Sequence, residues 1–116
     1  MSDITRVENN QRMSRVVIHN GTVWVAGTTA PDSTADISGQ SRQIFERIDY
    51  LLEQAGTNKK RVLSAVIWLS NIDRDFDLMN NEWDRWIEGE GPARATVQAK
   101  LARPGLLIEV MVTAAL

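Results

Sequence analysis

The sequence predicts an α+β fold, a mixed sheet with two helices packed on a single face. Three observations carry this. Short runs rich in Val, Ile, Thr and Trp follow the pattern of strands, two longer stretches have apolar residues at helical spacing, and the elements fall in the order ββαβαββ. At 116 residues the chain fits one domain, 1–116, and has no room for two. Its apolar share of 43% is enough for a core, which argues against global disorder.

Strands are expected over 16–19 and 23–26, joined by Asn20-Gly21, where both positions tolerate positive φ and favour a tight hairpin. Residues 27–35, rich in Thr, Pro, Asp and Ser, read as a loop. From 36 to 55 the apolar positions Ile37, Ile44, Ile48, Leu51, Leu52 and Ala55 recur at helical spacing, and Gly56 sits where a C-cap belongs. A central strand is expected over 62–72. A second helix is expected over 75–88, with Phe76, Met79, Trp83, Trp86 and Ile87 on one side and acidic residues at the dipole-positive start. Gly89, Gly91 and Pro92 end it. Residues 94–101 alternate, with Arg94, Thr96, Gln98 and Lys100 on one face. After the break at Arg103-Pro104-Gly105, residues 106–116 are apolar except Glu109 and Thr113. The 62–72 and 106–116 strands are apolar on both faces, and two helices cover only one. The uncovered face predicts a homo-oligomer packed sheet against sheet.

Composition removes several function classes. The 13 basic and 15 acidic residues give a net charge of −2, which argues against nucleic acid as the main partner. The one basic run, Lys59-Lys60-Arg61, is too short to wrap a phosphate backbone and reads as a solvated loop. Without cysteine there is no disulfide, thiol nucleophile or cysteine-ligated metal, and with His19 alone a zinc site or serine–histidine triad is excluded. No stretch approaches the ~20 apolar residues of a membrane span. Met1-Ser2-Asp3 opens no signal segment, so a cytoplasmic protein is expected. The glycines and proline near 89–92 form no phosphate loop, because no Gly-Lys-[Ser/Thr] follows.

Glu109 stands out among Leu107, Ile108, Val110 and Met111. A carboxylate there needs a partner or carries a desolvation cost of several kcal/mol. The nearest partner in sequence is Arg94, which follows the stiff entry Gly91-Pro92-Ala93. Two readings stay open. The pair is a structural cross-strand salt bridge, or Arg94 is a two-pronged clamp for a ligand carboxylate while Glu109 holds a water or a proton. Asn80 reads by itself as a helix-surface amide, and His19 as a turn-flanking or interface residue. Trp24, Trp68, Trp83 and Trp86 read as core or interface.

Gly91-Pro92-Ala93-Arg94-Ala95-Thr96-Val97, with Ile108-Glu109-Val110 fifteen positions beyond the arginine, resembles the signature of the Rid family, also called YjgF, reactive-intermediate deaminase or endoribonuclease L-PSP. The likeness extends through Val25-Ala26-Gly27, Leu52-Glu53-Gln54-Ala55-Gly56 and Asp75-Phe76 followed by Asn80. Trp83-Asp84-Arg85-Trp86 and the Thr-Val-Gln-Ala run are similar to its short bacterial YoaB-like branch. The resemblance implies a chorismate-mutase-like mixed sheet of about six strands with two helices on one face. It also implies a homotrimer with intersubunit clefts and no metal or other cofactor. It implies a deaminase hydrolysing 2-imino acids, such as 2-iminobutanoate or 2-iminopropanoate, to 2-keto acids and ammonia. In that reading Arg94 binds the substrate carboxylate and Glu109 orients the attacking water. Thr96 contacts the ligand through its backbone, and Asn80 and Ala26 line the cleft.

The chain departs from that pattern at three places. Many deaminase members have cysteine where Thr96 stands, serine where Ala26 stands, and tyrosine near Met13-Ser14-Arg15. These departures bear on substrate preference and keep open a non-catalytic module that binds or senses a small carboxylate such as a 2-keto acid. Chaperone-like and ribonuclease activities have also been ascribed to relatives, and the acidic balance of the chain speaks against the latter.

Overall fold

The computed structural model describes residues 3–116; Met1-Ser2, part of the basis for expecting no signal segment, lies outside them. Strands β1 (Thr5–Asn9), β2 (Ser14–His19) and β3 (Thr22–Thr29) precede helix α1 (Ile37–Ala55). A short 3-10 turn, Lys59–Arg61, leads into β4 (Val62–Leu69), α2 (Ile72–Trp86), β5 (Ala93–Gln98) and β6 (Ile108–Ala115). The strands form one six-stranded sheet in the order β1-β2-β3-β6-β4-β5. Every pairing is antiparallel except β4 with β5, which is parallel and is spanned by α2 as crossover.

This is the expected mixed sheet with two helices on one face, and the differences lie in element bounds. The early hairpin closes at Asn20-Gly21 with φ of 48° and 78°, the left-handed pair a type I′ turn requires. The region 27–35 is not all loop, since β3 continues to Thr29 past an irregularity between Val25 and Thr28. β4 ends at Leu69 and α2 starts at Ile72, because the Asn71 side chain accepts the Arg74 N–H at 3.1 Å and caps the helix earlier than the apolar spacing suggested. Phe76, expected on the apolar side of α2, is 38% exposed. β5 stops at Gln98 rather than at residue 101. β1 has no counterpart among the strands expected from residue patterning. It pairs only with β2, at the sheet edge, and its mostly exposed side chains carry no alternation to read.

The core lies between the helices and one sheet face. Ile44, Ile48, Leu51 and Leu52 of α1 and Met79 of α2 are fully buried against Val23, Val25, Ile67, Val110 and their neighbours. Phe45, Trp83 and Trp86 join the helices, with Phe45 stacked on Trp86 at 4.6 Å and edge-on to Trp83 at 5.9 Å. The other sheet face has no helix on it. There Trp24 is 40%, Val97 44% and Met111 37% exposed. Among the described residues no helix is long and apolar enough to cross a membrane.

Candidate active site

Strand pairing decides where the two candidate charges point. On β5, Arg94 lies opposite Ala65 and Thr96 opposite Ile67, both buried residues of the helix-covered face of β4. Side chains paired across strands share a face, so Arg94 and Thr96 lie under α2. The Arg94 Cζ sits 5.0 Å from the centroid of the Trp83 ring, a cation–π contact. Burial pulls this guanidinium below its ordinary pKa, and the nearby Asp84 carboxylate works against that shift. No carboxylate of a described residue forms an ion pair with it.

Asn80 belongs to the same cluster. α2 runs antiparallel to β5, as two contacts establish: Arg94 meets Trp83 near the helix end, and the Gln98 side-chain oxygen accepts the Ile72 N–H at 3.0 Å at its start. Asn80 lies one turn before Trp83, on the part of α2 that runs toward the Thr96 end of β5. Both the Asn80 Oδ1 and the Thr96 Oγ1 are buried without a hydrogen-bond partner among the described residues. Two orphaned polar atoms beside an unpaired guanidinium are unusual, because each unsatisfied buried group costs ~1–3 kcal/mol. β5 also ends the sheet, so its outer backbone edge has no strand partner.

Glu109 is elsewhere. On β6 it lies opposite Thr29 of β3 and Trp68 of β4, between the buried Ile108 and Val110, and so faces the helix-free side. Its carboxylate lies over Gly27: a Cβ on that glycine would stand 2.2 Å from the Glu109 Oε2. Ala26 and Gly27 occupy the irregular step of β3, and the Ala26 carbonyl accepts the Thr28 hydroxyl at 2.9 Å. The carboxylate has no hydrogen bond or ion pair with a described residue.

The cross-strand salt bridge expected as one reading of the pair is therefore wrong. β4 separates β5 from β6, and Arg94 and Glu109 project from opposite faces of the sheet. The five expected residues fall into two groups, Arg94, Thr96 and Asn80 under α2, and Glu109 and Ala26 on the open face. Residue patterning assigned Trp83 to the core and gave Gly27 no role. The signal for Trp83 was its spacing of three from Asn80, and for Gly27 its place in a strand rich in β-branched residues. His19, at the end of β2, has its Nδ1 3.5 Å from the Asp3 carbonyl oxygen, away from both groups. Among the described residues no cluster could hold a metal ion.

An α+β chain with this sheet order and these two half-sites can be compared with known proteins. The family model for endoribonuclease L-PSP matches residues 4–116. The RutC family protein YoaB of Escherichia coli (strain K12) is 40% identical over 114 residues, 97% of each chain. An uncharacterised protein from Pseudomonas aeruginosa has a solved structure that superimposes with a TM-score of 0.92 at 39% identity, covering 97% of each chain. The structure of YyfA from Yersinia pestis, a protein of unknown function of the conserved Rid family, gives 0.83 at 30% identity, covering 93% of this chain and 90% of that one. The chain belongs to the Rid family, also known as the YjgF or endoribonuclease L-PSP family.

Proposed function

We propose that the protein is a cytoplasmic deaminase hydrolysing 2-imino acids to 2-keto acids and ammonia, working as a homotrimer with its sites between subunits. The observation that carries this reading is the unpaired Arg94 guanidinium beside the orphaned Asn80 Oδ1 and Thr96 Oγ1. Such a cluster has donors for a carboxylate, held bidentately by the arginine, and an acceptor for an imine N–H. Because Glu109 lies across the sheet, a site using both charges takes Arg94 from one subunit and Glu109 from its neighbour. Glu109 then accepts a hydrogen bond from a water and takes its proton as the oxygen attacks the imine carbon. Glu109 passes that proton to the imine nitrogen, completing the carbinolamine; it then takes the hydroxyl proton and delivers it to the departing nitrogen, so that ammonia leaves and the keto acid remains. Imines hydrolyse readily, so holding the substrate against one aligned water is sufficient catalysis, and no cofactor is invoked.

The test generates imino acid in situ with an amino-acid oxidase and follows keto-acid formation. Arg94→Ala should abolish the acceleration, together with 2-keto acid binding measured by calorimetry. Glu109→Ala should abolish the acceleration and retain binding. Wild-type rates in both variants would refute the site. Ala26, which offers the cleft no hydroxyl, favours a second reading, a module that binds 2-keto acids without turnover. Binding that depends on Arg94, with no acceleration by the wild type, would select it.

A further inference from the structure

At the end of β3, three of the chain's arginines line one pocket of about 190 Å³. Arg15 comes from β2, Arg47 from the middle of α1 and Arg103 from the loop between β5 and β6. Thr28 and Thr29 at the end of β3 complete the wall, and Leu51 of α1 supplies an apolar floor. Three separate stretches of chain thus bring like charges together in a protein whose net charge is −2.

Only one of these arginines is neutralised. Arg47 pairs with Glu8, whereas the guanidiniums of Arg15 and Arg103 have neither a hydrogen bond nor an ion pair with any described residue. Three positive groups and one carboxylate leave the pocket with two uncompensated charges. The Thr28 hydroxyl is committed to the Ala26 carbonyl, and the Thr29 hydroxyl is free of any hydrogen bond to a described residue. Guanidinium forks match oxyanions bidentately, and a cavity lined by one sign of charge concentrates the opposite ion. The volume is a few water molecules' worth, since each water takes ~30 Å³ in the liquid.

We propose that this pocket is a second binding site, for a small dianion: a phosphate monoester group or a short dicarboxylate, held between Arg15 and Arg103 with Arg47 as a further donor. Its three arginines belong to neither half-site, although Thr29 in its wall lies opposite Glu109 on the sheet.

Calorimetric titration with inorganic phosphate, malonate and acetate tests it. The Arg94→Ala variant serves as background, so that carboxylate capture at the candidate active site is not counted. Phosphate or malonate should bind, acetate at least tenfold more weakly. The Arg15→Gln/Arg103→Gln double variant should lower dianion affinity at least tenfold, and raising salt should weaken it further. Binding of phosphate alone identifies a phosphate monoester site, and of malonate alone a dicarboxylate site. Both replaced positions are exposed, and a circular dichroism spectrum like that of the parent shows the double variant folded. The proposal is overturned if neither dianion binds, if acetate binds as tightly, or if the folded double variant keeps the parental affinity.

Discussion

Gly27 has no steric room for a side chain, although its backbone is ordinary. A methyl group there would overlap the Glu109 carboxylate, and the nearest other atoms also belong to that flexible side chain. Gly27→Ala should therefore cost little stability while turning Glu109 aside. We expect imine hydrolysis to fall at least ~10-fold, or about 1.4 kcal/mol in barrier, with an almost unchanged denaturation midpoint. A midpoint that fell in step with activity would mean that the glycine serves the fold instead. Thr96 tests the same logic from the other half-site. Its orphaned hydroxyl makes Thr96→Val a stabilising change of ~1 kcal/mol in the absence of ligand, read from urea unfolding. Ligand affinity should drop in the same variant. A destabilised Val variant would show that the hydroxyl is already satisfied.

Between elements, the decisive polar contacts are those of Gln40. This residue is fully buried on α1, yet its amide nitrogen donates to the Ala35 and Gly105 carbonyls at 3.0 and 2.9 Å, and its oxygen accepts the Leu107 N–H at 3.0 Å. One side chain thus fastens the β5–β6 loop to the start of α1, whose first turn is capped by Asp36 at the Gly39 N–H. Gln40→Leu keeps the volume and strips three backbone groups of their partner. The expected loss is ~2–4 kcal/mol, visible as a lower urea midpoint at unchanged slope. A loss below ~1 kcal/mol would mean that the loop finds other partners.

At the scale of the molecule, the helix-free face dominates. Trp24, Val97 and Met111 are exposed there on β3, β5 and β6, flanking half-buried Trp68 on β4. A monomer seldom leaves so broad an apolar patch in water. Light scattering should give three times the chain mass. Met111→Glu would place a charge on the helix-free face, so it should release monomers and abolish imine hydrolysis by parting the two half-sites. A wild-type mass equal to one chain would refute both the trimer and the shared cleft.

Several features were legible locally. Asn20-Gly21 had to turn, because few residues tolerate two successive positive φ angles. The apolar spacing of α1 and its Gly56 cap, with φ of 87°, fixed that helix almost to the residue. The arginine, the glutamate and the family they signal could also be read directly. β1 could not be, since an exposed edge strand is held by backbone bonds that leave no side-chain pattern. Nor could the separation of the two charges. Nearness in sequence suggested that β5 and β6 pair, but α2 carries β5 to the far edge of β4, and β6 returns between β3 and β4. The sequence by itself determined the two charges and the local elements that carry them. Only the tertiary structure decided that Arg94 and Glu109 lie on opposite faces of the sheet, because facing follows from long-range strand order and register, which no local stretch encodes.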